Sequence, residues 1–508
     1  MLRFIVLVIF GFLVLHSCND DIFETSPSTG ELTFSRDTVF LDTVFTNISS
    51  STRTFKIYNK SSNHINIPEI ALGRGQQSFY RLNVNGQSGK SFENITILPK
   101  DSIYVFVEAT IDFSKVTNPI YTDSIVFDQG ANQQDVKLVT LVQDAYFLFP
   151  ERDAEGIKEK IVIGVDDDGE EIAVEGFYLE GDVTWTDEKP YVIYGYVGVN
   201  KGNKLTIQKG AKVHFHQNSG LLVEKEASLK INGTLNNRVI LQGDRLEPFF
   251  EDVAGQWGTI WLRPGSKGHE INHTIIKNNT IGILMDSLGE GAGPTLKINN
   301  SEIYNTSNFG LFGRATHING YNLVIANNGR SSLACTVGGT YNFTHATFAN
   351  YWSGNIRELP AVLISNFQIS TSSGGAEELI VNDLKAANFT NCIIEGNQSI
   401  EYLLQENTQA AFNFNFKNNL VRFFDPGGRF SEDPLYDFEN TSLYQEVIFN
   451  GEPDFKDVDQ NELIIGQESD ANNNADKPSA QKVPFDILGV NRILSPDIGA
   501  YQHIIFEE

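Results

Sequence analysis

The chain has 508 residues, with 38 Lys and Arg against 64 Asp and Glu, a net charge of −26. Such a charge excludes nucleic acid and electrostatic attraction to anionic lipid, and it repels acidic polysaccharide unless cations bridge the two. The length calls for several domains or one long solenoid.

Residues 4–15 form an apolar run after Arg3. It is too short to span a membrane and suits the core of a secretory signal. Leu15-His16-Ser17-Cys18 follows and resembles a bacterial lipobox. The resemblance implies a signal peptide over 1–18 and a lipid on Cys18. Asn19-Asp20-Asp21 is similar to the acidic signal that sends Bacteroidetes lipoproteins to the outer face of the outer membrane. It implies a lipid-anchored, outward-facing protein with a tether over 19–30.

Residues 31–145 hold short strand-like runs, among them Thr54–Tyr58, Ile103–Ala109 and Val136–Val142, separated by Asn, Ser, Gly and Asp. That spacing predicts a small β-sandwich. Arg53–Asn59 and Pro99–Val107 resemble immunoglobulin-like domains of the abnormal-spindle/hydin type, which implies a spacer or interaction module. Asp37-Thr38-Val39, Asp42-Thr43-Val44, Asp101-Ser102-Ile103, Asp123-Ser124-Ile125 and Asp286-Ser287-Leu288 resemble a Bacteroidetes O-glycosylation motif, and they fit ordinary strand alternation equally well.

Residues 146–184 read as a connector and N-terminal cap. Within them Asp166-Asp167-Asp168-Gly169 predicts an acidic hairpin turn. Asp166 and Asp168 are candidate calcium ligands there, although the run lacks the alternating oxygens of a known calcium loop.

Within residues 185–455, the stretch 273–418 carries a hidden repeat. Apolar anchors stand at Ile276, Ile303, Ile325, Phe348, Ile369, Ile394 and Phe416, with gaps of 27, 22, 23, 21, 25 and 22 residues. Three residues before each anchor is His273, Asn300, Asn322, His345, Asn366, Asn391 or Asn413. Two residues after it Asn recurs at 278, 305, 327, 350 and 418. A near-constant period of this length predicts a solenoid. The alternation around each anchor has period two, so each repeat contributes strands with one buried face. Asn tolerates the left-handed backbone of a sharp corner, and stacked amides about 4.8 Å apart can bond along the stack. This pattern resembles the right-handed parallel β-helix of the pectate-lyase type. Leu205–Val213, Gly220–Val223 and Gln256–Ile260 look like its opening coils, and Asp486–Gly489 with Pro496–Tyr501 looks like the closing segment of the same group. The expected fold is therefore all-β, a right-handed parallel β-helix preceded by a small β-sandwich. Residues 456–508 are expected to cap the open end against edge pairing. Cys335 and Cys392 fall about three coils apart, roughly 14 Å, too far for a disulfide, and read as buried apolar groups.

The β-helix resemblance implies, for an enzyme, a base with calcium-holding carboxylates or a clustered pair of acids. Outward positions supply Lys277, Glu302, Glu395 and Lys417, with Asp286 and Asp383 standing alone. Lys277 and Glu302 are expected to form a surface ion pair. His214 and His216 flank Phe215 as a candidate metal pair without a visible third ligand. Asp457, Asp459 and Asn461 alternate as further calcium candidates but lack the Gly and acid of a known loop. Trp257, Trp261, Tyr351 and Trp352 are candidates for stacking on sugar rings. The preferred reading is a non-catalytic surface lipoprotein, structural, adhesive or glycan-binding. The alternative is a calcium-assisted polysaccharide lyase or a glycoside hydrolase with its site in loops such as 244–256 or 422–436. Expected partners are the outer membrane, polysaccharide or surface proteins, with no nucleic acid.

Overall fold

A computed structural model describes residues 25–166, 168–286, 293–371 and 377–507. The signal peptide, Cys18, the tether up to residue 24, Asp167 and the Ser287-Leu288 pair lie outside the described residues. Contacts divide the chain into two compact units, 1–144 and 145–508.

In the first unit two sheets pack around one core. One runs Thr25–Pro27, His64–Leu72, Ile120–Phe127, Gln134–Gln143, Thr38–Phe45, and the other Thr33–Phe34, Arg53–Tyr58, Ser102–Ala109, Tyr80–Val84, Gln87–Gly89. Alternate residues of Ser102–Ala109 are buried, and Phe55, Ile57, Tyr80, Phe127 and Leu138 meet in the core. The sandwich begins earlier than the sequence suggests. Thr25–Pro27, expected to be tether, pairs in parallel with His64–Asn66.

In the second unit most coils place one strand on each of three parallel sheets. Sheet one contains Lys204–Gln208, Ser228–Asn232 and His269–Asn272, and continues through Leu296, Ile318, Tyr341, Leu384 and Phe412. Sheet two carries the anchors: Leu241, Ile276, Ile303, Ile325, Phe348, Ile394 and Val421 stand in one register. Sheet three contains Tyr196–Val199, Gly220–Val223, Trp257–Leu262 and Asn279–Met285 and their successors. The interior of the prism is a single apolar column in which Phe389 stacks on Phe416 at 5.0 Å and Phe416 on Tyr444 at 5.7 Å.

Two of the seven anchors are misplaced by the period. Ile369 is 54% exposed, on a strand that pairs antiparallel with Glu377–Val381 as a hairpin leaving the coil. Phe416 belongs to sheet one, in register with Phe389 and Phe343. The hairpin lengthens one coil to two apparent repeats, and sheets one and two share a similar pattern, so the count slips from one sheet to its neighbour. The corners confirm the slip. His273, Asn300, Asn322, His345, Asn391 and Asn418 have φ of 47–57°, while Asn366 and Asn413 are absent from the positive-φ residues. The second Asn column turns likewise at Asn278, Asn305 and Asn327. The stacked amides bond as expected: Asn322 Nδ2 donates to Asn300 Oδ1 at 2.9 Å and Asn327 Nδ2 to Asn305 Oδ1 at 2.6 Å.

Residues 146–184 are not a separate connector. Tyr146–Leu148, Gly176–Leu179 and Val183–Trp185 pair in parallel with the next coil, and so form the first one. The acidic turn does close a hairpin, between Lys160–Val165 and Glu171–Leu179. The far end is closed by aromatics of 423–449, with Phe423, Phe430, Tyr436 and Phe438 packed together. This plug contains most of the 422–436 loop expected to be a site.

Residues 456–508 therefore do not close the end. They run along the outer face of sheet two. The reason lies in the outward residues of that sheet, Val324, Ala326, Ala349, Ile393 and Leu420, which are apolar and need cover. Leu463, Ile487 and Tyr501 cover the first three, and Ile465, Ala471 and Ile498 the last two. Arg492, fully buried, fastens the segment: its Nη2 donates to Asn322 Oδ1 and the Ala500 carbonyl at 3.1 Å each, and its Nη1 to the Gly499 carbonyl at 3.2 Å.

Candidate functional site

Several sequence candidates prove structural. Trp257 is buried, stacked on Phe215 at 4.2 Å, and its Nε1 donates to the Lys277 carbonyl, so no ligand can reach its face. Tyr351 packs edge-on against Phe455 beneath the C-terminal segment. Trp261 points outward, its Nε1 donating to Asp286 Oδ2 at 3.2 Å, and Asp286 also pairs with Arg314. Trp352 is half-buried and donates to Asn355 Oδ1 at 2.7 Å. Lys277 and Glu302 do not pair. Register sets Lys277 beside Tyr304, Glu302 binds Arg238 at 2.9 Å, and Lys277 lies 3.6 Å from Glu251.

The proposed metal ligands are dispersed. Asp166 Oδ1 accepts the N–H groups of Asp168 and Glu170, which closes the hairpin turn. Asp457 Oδ1 accepts those of Asp459 and Gln460, and Asn461 Nδ2 donates to Asn305 Oδ1 at the end of a corner ladder. His214 is buried against the Gly243 carbonyl, and burial pushes it down to about 4, so it stays neutral. His216 instead faces a cleft and binds Asp244. Among the described residues no three His, Cys, Asp or Glu side chains converge as a metal site. Cys335 and Cys392 are free and buried.

What the coils do bring together is an open polar face on sheet one. Its outward residues three places before each corner are Glu270, Lys297, Asn319, Asn342, Asn388 and Asn415. Asn342 Nδ2 donates to Asn319 Oδ1 and Asn388 Nδ2 to Asn342 Oδ1, both at 2.8 Å. A carboxamide has two N–H donors and two lone pairs. Within the ladder Asn342 spends one of each, leaving a donor and an acceptor facing outward. At the strand spacing of about 4.8 Å on either side, Asn319 accepts once in the ladder and Asn388 donates once.

The C-terminal segment makes this face a groove. A depression of about 290 Å³ is lined by Lys297, Asn299, Asn319, Tyr321, Asn342 and Val483. A second, of about 480 Å³, adjoins it through Tyr321 and Val483 and extends to His273, Asn322 and Phe485. Phe485 is 53% exposed, and Tyr321 is half-buried with one edge in both depressions. Burial and the nearby Arg238 hold His273 below the usual histidine range, so the groove floor is uncharged there. The groove thus offers amide donors and acceptors beside the ring of Tyr321, with Phe485 beyond that ring in the second depression. That is the equipment for binding a polyhydroxylated chain, whose hydroxyls both donate and accept and whose ring faces are apolar.

Sequence reasoning missed these residues, although a signal existed. The Asn319, Asn342, Asn388 and Asn415 column keeps a fixed offset of three from the true corners Asn322, His345, Asn391 and Asn418. Phe485 carries no such signal, because only the fold-back of the C-terminal segment brings it to the sheet.

Residues 176–280 match the model of a pectate-lyase like beta helix domain. No curated protein matches the chain. Among solved structures, a family 123 glycoside hydrolase from Clostridium perfringens is 10% identical with a TM-score of 0.17, over 22% of this chain and 25% of that one. The chain thus spans a quarter of that structure's length. The catalytic unit of a GH87 alpha-1,3-glucanase from Streptomyces thermodiastaticus is 11% identical with a TM-score of 0.20, over 73% of this chain and 86% of that one. Similarities this slight say nothing about activity.

Proposed function

We propose that the chain is a non-catalytic glycan-binding protein of the cell surface, which holds a neutral polysaccharide along sheet one. The observation that carries this reading is the Asn319–Asn342–Asn388 amide ladder, with Tyr321 lining the same depression as Asn319 and Asn342. Strand spacing is close to the rise per sugar of an extended glycan, so successive units meet successive amides. The net charge of −26 favours a neutral chain over an acidic one. Anchoring at the outer membrane through Cys18 rests on the Leu15–Cys18 segment, and the spacer role of the immunoglobulin-like sandwich on the Arg53–Asn59 and Pro99–Val107 runs.

Hydrolysis of a glycosidic bond ordinarily uses two carboxyl groups across the bond. Among the described residues that line the two depressions the acid is Asp486, and it is committed elsewhere. Its Oδ1 accepts the N–H groups of Leu488 and Val490 and its Oδ2 that of Gln502. Affinity electrophoresis of the purified protein through neutral and acidic polysaccharides, with and without calcium, tests the reading. We expect retardation by one or more neutral polymers, no calcium dependence, and no new reducing ends or unsaturated products. Release of products would replace it with the lyase or hydrolase reading, and failure to bind any polymer would remove it.

A further inference from the structure

A cleft of about 730 Å³ lies on sheet three under the hairpin inserted in the first coil. It is separate from the groove on sheet one, and its chemistry is independent of the glycan reading. Tyr196 forms part of its floor, lying across Gly220 and Gly258, where a side chain on either glycine would strike the ring. His216 stands in the wall. Its Nδ1 is 2.7 Å from Asp244 Oδ2, and its ring lies 4.5 Å from that of Tyr194. Two partners therefore fix the imidazole, and Nε2 is left without a hydrogen bond among the described residues. Opposite, on the hairpin side, Lys158 Nζ binds Glu175 at 2.5 Å, and its charge acts on His216.

Counting donors and acceptors shows what this cleft lacks. Glu175, which lines it, is engaged by Lys158, and Asp244, which adjoins it, by His216. An ammonium has three N–H groups, so Lys158 keeps donors to spare, and a protonated His216 adds Nε2–H. Thr259, which lines the cleft, has a buried hydroxyl with no partner. Donors remain and charged acceptors do not. An oxyanion is the ligand group that would meet these spare donors.

We propose that this cleft is a second ligand site, taking the carboxylate of a small acidic sugar between Nε2 of His216 and the ammonium of Lys158. Tyr196 supplies an aromatic floor for the sugar ring. Binding is switched by His216. Asp244 holds the ring above the ordinary histidine value, through its hydrogen bond first and its charge second, while burial, Lys158 and Arg245 oppose it. Arg245 is itself paired with Glu247, and Glu175 faces Lys158. When His216 is protonated, Nε2 donates and the site holds an anion. When it is neutral, Nε2 is an acceptor and repels one.

The test is titration calorimetry of the full chain with glucuronate, and with glucose as the uncharged control, at about pH 5 and about pH 8, which bracket histidine titration. We expect glucuronate to bind at least about tenfold more tightly at the lower pH, the effect of roughly 1.4 kcal/mol from one added charge contact. Glucose should not bind in this cleft. His216→Gln should abolish the pH dependence, and Lys158→Met should weaken binding at both pH values. Melting temperatures matching the wild type would show that both variants fold. A variant that melts low is replaced by following the His216 ring signal of the wild type by NMR, which should shift with glucuronate and not with glucose. Equal affinity at the two pH values, retention of pH dependence in His216→Gln, an unmoved His216 signal, or no glucuronate binding would each overturn the proposal.

Discussion

At the residue scale, asparagine performs two tasks that the sequence shows as one. In the corner columns it adopts positive φ and bonds the next coil, and three residues earlier it faces outward in a ladder. The corner task was legible, because Asn is one of the few side chains that tolerate a left-handed backbone, and its regular interval marks one corner per coil. The tryptophans were not. Trp257 and Trp261 share parity, yet an irregularity between Thr259 and Ile260 turns one inward and the other outward. Glu395 shows what burial does to a charged group read as a surface one. Its side chain is 2% exposed, it lies 3.2 Å from Arg422, and burial raises it to about 7 from 4.5. The folded state therefore holds this proton more tightly than the unfolded one. The associated stability is complete below pH 4.5 and is lost as pH rises through about 7. Thermal unfolding of wild type and Glu395→Gln across that window should show the difference. The variant is expected to gain on the wild type by up to about 3 kcal/mol between the two limits. Buried histidines such as His214 contribute equally to both proteins and cancel in the comparison. Parallel curves would show that Glu395 is ionised throughout.

At the element scale, strands and corners followed from period and alternation, and the path of the chain between them did not. The hairpin at Phe367–Val381 hid a lengthened coil, and the C-terminal segment went to a lateral face instead of an end. Both depend on tertiary contacts that leave no local periodicity. Val324, Ala326 and Ile393 make part of the outward face apolar, which a reading of one buried face per strand did not anticipate. Arg492 makes the cover over that face testable. Arg492→Met removes three hydrogen bonds from a buried cation, each worth about 1.5–3 kcal/mol before compensation. Hydrogen exchange should show residues 484–503 losing protection while the Phe343–Phe389–Phe416 stack keeps it. Unchanged protection of 484–503 would mean that apolar contacts alone hold the segment. Loss of protection in the stack as well would mean that segment and coils unfold together.

At the scale of the whole molecule, the fold class was the most legible property and the function the least. A repeat constrains the interior of every coil simultaneously, so errors at Ile369 and Phe416 did not disturb the reading of a parallel β-helix. A binding face is made of the residues that the repeat leaves free, and here it also needed a wall from a segment well over a hundred residues away in the chain. The central claim is that the amide ladder and Tyr321 hold a neutral glycan. It is tested most directly by calorimetric titration of an oligosaccharide, cut from the polymer that most retards the protein, against wild type, Tyr321→Ala, Asn342→Ala and Trp261→Ala. Loss of the ring should weaken binding about tenfold, the scale of one aromatic contact with its buried area, and loss of the amide severalfold. Trp261→Ala, on another sheet, should bind as the wild type does. Equal affinity in all four proteins, or loss confined to Trp261→Ala, would contradict the account.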